Sequence, residues 1–367
     1  MKVVEFFADG YKNLKNSQIC PCGGVNLIYG QNAQGKTNLL EAIGLFSGRE
    51  RFHTKSAKRI AFGRDMAKLQ LKFDDGEREQ VAKIVLSQKN QFALNGVPIK
   101  RILEIYEHFN VVSFSPANLS IIQGSSQARR KFLDGAISQI KPEHAKYCQQ
   151  YEKILNHRNA LLRSGKYIAR STFDVWNAQM AQIGTIITMI RQDYVEKISQ
   201  ILEKIYRGIS AGKEVLKTYY ESTIFDYKLK NTYSEDDFRE YNKKLEFFQQ
   251  EDLKVGHTTR GVHRDDLIFK MGDLNVREYG SQGQQRSCVI ALKLSEAKLL
   301  KLICGSDPVI LLDDVMSELD LGRQNYILNH TNGSQIFITC CDISNMPNFE
   351  LARTYHMEDG HILCVDK

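Results

Sequence analysis

Eight consecutive residues, Gly30-Gln31-Asn32-Ala33-Gln34-Gly35-Lys36-Thr37, have the spacing G-x-x-x-x-G-K-[ST] of a loop that grips the phosphates of a nucleoside triphosphate. The chemistry needs each residue type where it stands. Gly30 and Gly35 permit a sharp turn and close backbone approach. The N–H groups of the loop, Gln31 to Gln34 included, can then converge on phosphate oxygens at a helix N-terminus, where the dipole favours negative charge. Lys36 has the reach for the β- and γ-phosphates, and Thr37 can hold Mg²⁺. A second group lies far along the chain, where Val309-Ile310-Leu311-Leu312 runs into Asp313-Asp314. Asp313 suits fixing Mg²⁺, directly or through water. Asp314 suits orienting or deprotonating the attacking water, provided it points at the γ-phosphate.

These groups act together only if strands deliver them. The apolar run Val25-Asn26-Leu27-Ile28-Tyr29 reads as a buried strand entering the loop, and helical spacing over 38–46 follows it. Residues 309–314 and 335–340 read as two more buried strands. The stretches 66–73, 80–86 and 91–94 alternate or end in turn signals such as Asn95-Gly96, and predict an antiparallel sheet beside the nucleotide-binding strand. From 126 to 209 strand patterns vanish; 173–209 predicts one long helix, and another is expected over 235–255. Lys36 and Asp313 are 277 residues apart, a gap that argues for an inserted lobe. The expected division is 1–115 and 256–367 as two parts of one α/β ATPase head with a mixed sheet, split by a mainly helical lobe at 116–255.

With 367 residues, 42% hydrophobic and 25% charged, the composition is that of an ordinary globular protein. The first ten residues lack the apolar core of a signal peptide, and no run of about 18 apolar residues occurs. No membrane partner and a cytoplasmic location are therefore expected. Eight scattered cysteines favour reduced thiols, and neither Cys20-Pro21-Cys22 nor Cys340-Cys341 has zinc-site spacing. The net charge of +7 is uneven: between 129 and 213 there are 15 Lys and Arg against 7 Asp and Glu. That surplus fits either a polyanion-binding surface or a solvated helical face.

Ser281-Gln282-Gly283-Gln284, ahead of an apolar helix, resembles the signature of ABC-type ATPases, with Ser281, Gly283 and Gln284 in its key positions. Ser317-Glu318-Leu319-Asp320, after the acidic pair, resembles their D-loop. Within that class the chain resembles the RecF family of bacterial recombination-mediator ATPases, relatives of the SMC proteins. The stretches that carry the resemblance are Phe114-Ser115-Pro116 leading to Arg129-Arg130-Lys131-Phe132-Leu133-Asp134, then Gly261-Val262-His263-Arg264-Asp265-Asp266, and Leu311 to Asp320. Ala117 and Ser126 depart from the family pattern outside the nucleotide motifs. Arg51-Phe52-His53-Thr54 follows the family's basic segment only loosely and takes no fixed role. Thr339 and Cys340 occupy the region where a transporter would carry a switch histidine. His263 is not assigned that role and reads as a satisfied structural histidine. Gln123 is a candidate for the Q-loop.

The resemblance implies an ABC-type head that binds ATP and Mg²⁺ and forms an ATP-dependent homodimer. In that dimer Ser281 of one copy meets the γ-phosphate held by the loop of the other. It implies slow, DNA-stimulated ATP hydrolysis that resets a clamp on duplex or gapped DNA. It also implies a role in DNA damage repair, replication and the SOS response, assisting RecO and RecR in loading RecA. Two other functions share the site motifs. A transporter subunit is disfavoured by the basic insert, and an SMC-like tether by the lack of long heptad arms.

Overall fold

The computed structural model describes residues 1–47, 58–164, 170–343 and 352–365. Arg51 to Thr54, and Gly165 of the expected helical region, lie outside the described residues. The chain divides into two compact units, Met1–Asn118 with Val289–Lys367, and Leu119–Cys288.

The first unit is built on a six-stranded mixed sheet. Val25–Tyr29, Ile336–Cys340, Val309–Asp313 and Val111–Phe114 lie side by side in that order, all parallel. Ala352–Glu358 flanks Val25–Tyr29 in parallel on the other side, and His361–Val365 closes the sheet antiparallel. Strands of this kind are covered on both faces, which is why they read as unbroken apolar runs. Every residue of Ile336–Cys340 is buried. The helix Lys36–Gly44 buries Leu39, Leu40, Ala42 and Ile43, at roughly 1.5–3 kcal/mol for each large side chain.

A second sheet in this unit has six antiparallel strands in the order Ser17–Ile19, Lys2–Asp9, Ala67–Asp74, Glu79–Leu86, Gln91–Leu94, Val97–Ile99. It is hydrogen-bonded separately from the sheet of the phosphate-loop strand, and it contains the antiparallel strands expected over 66–73, 80–86 and 91–94. In Ala67–Asp74 the buried Ala67, Leu69, Leu71 and Phe73 alternate with polar residues. The buried Gln335 side chain joins the two sheets, accepting from Val3 N (2.7 Å) and donating to Val3 O (2.9 Å).

The second unit is mainly helical. Its longest element, Arg170–Ile209, runs 40 residues and contains the predicted 173–209 helix. Gly184 within it admits the ring of Tyr241, which a Cβ there would meet at 2.5 Å. Residues 235–255 form two helices instead of one, Glu235–Phe247 and Gln249–Val255. The chain turns at Phe248, whose ring lies under the Arg260 guanidinium at 4.3 Å. Leu216–Glu221, Asp266–Met271 and Leu274–Asn275 form an antiparallel sheet, with Tyr219 opposite Ile268. This pairing, and the packing of Val262 in one core with Tyr151, Met180 and Tyr241, draw residues 256–288 into the second unit. The sequence-based boundary at 255/256 had placed them with the head. Ladder hydrogen bonds across 50 residues have no local sequence signature.

Candidate functional site

The phosphate loop follows its strand directly. Gly30, Ala33 and Gly35 have φ of 148°, 65° and 113°. At Gly30 a Cβ would collide with Met357 O at 2.3 Å, so only glycine fits. Lys36 is 7% exposed, and its Nζ donates to Gly30 O (2.6 Å) and Gln31 O (2.8 Å). Both acceptors are neutral carbonyls, so these bonds orient the ammonium without compensating its charge. The loop is braced from outside. Asn13 Nδ2 donates to Ala33 O (3.2 Å), and Asn38 Nδ2 donates to Asn13 Oδ1 (2.7 Å). Gln34 accepts from Gly360 N at its backbone oxygen and from Asp359 N at Oε1, at 3.1 and 2.6 Å. Asn32 Oδ1 accepts from Cys341 Sγ (3.1 Å). With the Asn32 and Gln34 side chains engaged by protein, what the loop can present to an anion is its backbone N–H groups and the Lys36 ammonium.

Asp313 ends the neighbouring acidic strand, and the parallel register sets it opposite Thr339. Its Oδ1 accepts from Thr37 Oγ1 (2.9 Å) and Thr339 Oγ1 (2.8 Å). A hydroxyl and a carboxylate held together beside a phosphate loop are the hard oxygen donors that Mg²⁺ prefers. Asp314 has φ of 53°, a left-handed conformation that Asp tolerates better than most residues. Its N–H donates to Thr339 Oγ1 (2.9 Å), and Ser317 Oγ lies 3.1 Å from its Oδ1. One buried hydroxyl, Thr339, therefore fixes both aspartates. Sequence reasoning met Thr339 only as the occupant of a place where a histidine was absent. The available signal was a polar residue near the end of a buried apolar strand.

Ser281, Gly283 and Gln284 belong to the second unit, at the start of the helix Gln282–Cys304. Ser281 Oγ accepts from Gln284 N (3.3 Å) and Gln284 Oε1 accepts from Ser281 N (2.8 Å). This is a reciprocal capping box. Because Ser281 Oγ accepts through a lone pair, its own hydrogen stays available to an anion at the helix N-terminus. Gln123 Nε2 donates to Gln285 Oε1 (2.8 Å), which ties it to the same helix.

Three arginines of the basic segment 129–213 are consumed inside the second unit. Arg129 pairs with Asp266 through both carboxylate oxygens (2.6 and 2.8 Å), and Arg191 does the same with Asp134 (2.9 and 3.0 Å). Arg158, fully buried, donates to Asp252 Oδ2 and Thr258 Oγ1 at 2.7 Å and to Asn177 Oδ1 at 2.8 Å. Asp252 and Asp266 lie outside the segment, so a count within it misses them. Lys131, Lys141, Lys153, Lys204 and Lys213 remain exposed.

Asp134, His144 and Cys148 are the one group among the described residues whose donor atoms lie close enough to share a metal. Burial alone would raise the Asp134 carboxyl, but the Arg191 charge and the His144 hydrogen bond hold it well below the usual carboxylate range. A guanidinium across both oxygens opposes a cation, so the group is a structural network. His263 bonds Tyr151 OH through Nδ1 (3.1 Å) and Thr258 O through Nε2 (3.0 Å), and burial lowers its pKa to about 4. It stays neutral at pH 7, as a structural histidine would. No helix among the described residues is long and apolar enough to cross a membrane.

A family model described as an AAA domain matches residues 8–256. The DNA replication and repair protein RecF of Lachnospira eligens is 35% identical over 348 residues, covering 92% of this chain and 93% of that protein. RecF of Clostridioides difficile is 33% identical, with 100% and 99% covered. A solved structure of the recombination mediator protein RecF with ATPrS, in the RecFOR pathway, matches with a TM-score of 0.90 at 34% identity, covering 100% of this chain and 98% of that one. An SMC head bound to the C-winged helix domain of ScpA matches at TM-score 0.57 and 16% identity, over 100% and 97% of the two chains, a likeness of fold alone. The mixed α/β head of ABC type expected from the sequence is the fold of this chain.

Proposed function

The chain belongs to the RecF family of DNA replication and repair proteins, and on that premise we propose that it is an ATP-switched DNA clamp of the cytoplasm. Backbone N–H groups from Gly30 to Thr37 bind the phosphates of ATP, with Lys36 as the cation at the β- and γ-positions. Thr37 and Asp313 hold Mg²⁺, whose charge neutralises the phosphate oxygens. Asp314 orients the attacking water and accepts its proton. Ser281 and the capped helix behind it complete the site of a second copy, so ATP closes a homodimer and hydrolysis releases it. The closed dimer holds duplex or gapped DNA, hydrolyses ATP slowly under DNA stimulation, and assists RecO and RecR in loading RecA. The observation that carries the reading is the 2.9 Å bond from Thr37 to Asp313, which joins loop and acidic strand across 276 residues.

Complementation tests it. Lys36→Ala removes the loop's cation, and Ser281→Arg places a bulky cation where the partner's phosphate must enter. Each variant alone is expected to lack ATP turnover. When they are mixed, one site of each mixed dimer combines intact Lys36 with intact Ser281, and part of the turnover returns. Mixed dimers visible by light scattering but without turnover would overturn the trans arrangement.

A further inference from the structure

The loop after the longest helix reaches the signature segment through one side chain. Glu214 Oε1 accepts from Gln284 Nε2 (2.6 Å), while its Oε2 accepts from Tyr206 OH (2.8 Å). Tyr206 is 1% exposed and stands in the last turns of Arg170–Ile209. Glu214 is held at its backbone too, because Ser210 Oγ accepts from Glu214 N at 3.3 Å and lies 3.2 Å from its carbonyl oxygen. The carboxylate is thus fixed from the helix side and offers one oxygen to the signature glutamine.

A carboxylate accepts hydrogen bonds and donates none, whereas an amide can turn either end toward a neighbour. Glu214 therefore dictates which way the Gln284 amide faces. With Nε2 toward Glu214, Oε1 is left at Ser281 N, and the capping box closes. With the amide reversed, its NH₂ group would face the Ser281 N–H, two donors would meet with no acceptor between them, and the box would open. Ser281 would then lose the fixed backbone that aims its hydroxyl.

We infer that Glu214 is a positioning residue for the signature, setting the Gln284 amide so that Ser281 is held ready for the phosphate of a second copy. The inference rests on the trans reading given above. Glu214 touches neither nucleotide nor reacting atoms, so its loss acts on closure and spares loading of the isolated chain. Removing one charge-assisted bond weakens such a step about tenfold.

The test compares Glu214→Ala, Glu214→Gln and the parent by equilibrium dialysis with ATP and by sedimentation across an ATP series. Glu214→Ala is expected to bind ATP within about twofold of the parent while needing about tenfold more protein to dimerise. Glu214→Gln keeps an acceptor oxygen but loses the charge and the fixed direction, and is expected to restore the dimerisation only in part. At protein concentrations where Glu214→Ala alone stays undimerised, mixing it with Lys36→Ala is expected to restore turnover, because its lesion lies in the signature half. If Glu214→Ala does not fold, Glu214→Asp, one methylene too short to hold Tyr206 and Gln284 together, should shift dimerisation in the same direction. Parental dimerisation by a folded Ala or Asp variant would overturn the inference while recovery between Ser281→Arg and Lys36→Ala left the function standing. No recovery in that second pair would remove both.

Discussion

The buried arginines of the second unit and the nucleotide-site charges of the first use charge in opposite ways. In the second, Arg158, Arg191 and Arg129 meet Asp252, Asp134 and Asp266 in pairs that are buried or nearly so, and the guanidinium groups are spent on fold. In the first, Lys36 rests on carbonyl oxygens of its own loop, and Asp313 is held by two hydroxyls instead of a cation. A charge that is neutralised within the protein holds structure together. One that is oriented by neutral groups keeps its field for a ligand. Net charge does not separate these cases, because it counts residues and not the partners they meet.

The sharpest way to break this contrast is at Asp314. Asp314→Asn is expected to slow turnover by about 10²–10⁴-fold, leave ATP binding and the melting temperature near parental values, and prolong the dimer. A parental rate in a steady-state ATPase assay would move the base elsewhere. Asp252→Ala should do the reverse. It leaves Arg158 buried without its carboxylate, and is expected to cost about 3–5 kcal/mol in denaturant unfolding of the second unit. Nucleotide affinity measured below the transition should be kept. An unfolding midpoint unchanged by Asp252→Ala would mean that these arginines do not hold the fold. The smallest expected effect sharpens the comparison inside the head. Thr339→Val keeps shape and removes the hydroxyl that fixes both aspartates, so turnover should fall about tenfold with ATP affinity retained. Thr339→Ser should recover it. A Val variant with parental turnover and a lowered ATP affinity would make Thr339 a binding residue instead.

Much of the head was legible in the residues alone. The phosphate loop, its strand and helix and the acidic strand are each set within a few consecutive positions, by turn geometry and apolar periodicity, whereas the Ser281–Gln284 segment was met only through its resemblance to a signature. The helix closes its hydrogen bonds over four residues. The strands and loop, whose bonds run to distant residues, still show themselves as apolar runs and a glycine-lysine spacing, so residue types at fixed spacing suffice to recognise them. The helix 173–209 was legible for the same reason, and its neighbour over 235–255 failed where a single contact from Arg260 to Phe248 accompanies a turn.

What only tertiary structure decided is which distant groups meet. Parallel register brought Thr339 against Asp313 across 26 residues, and brought the acidic strand to Thr37 across 276. Antiparallel pairing moved 256–288 from the expected head into the second unit. Packing drew two arginines of the basic segment, Arg158 and Arg129, into ion pairs with carboxylates 94 and 137 residues away, and left lysines of the same segment exposed. Sequence spacing carries no record of such meetings, because a loop of any length costs nearly the same to close and only the packed chain selects the partner at its end.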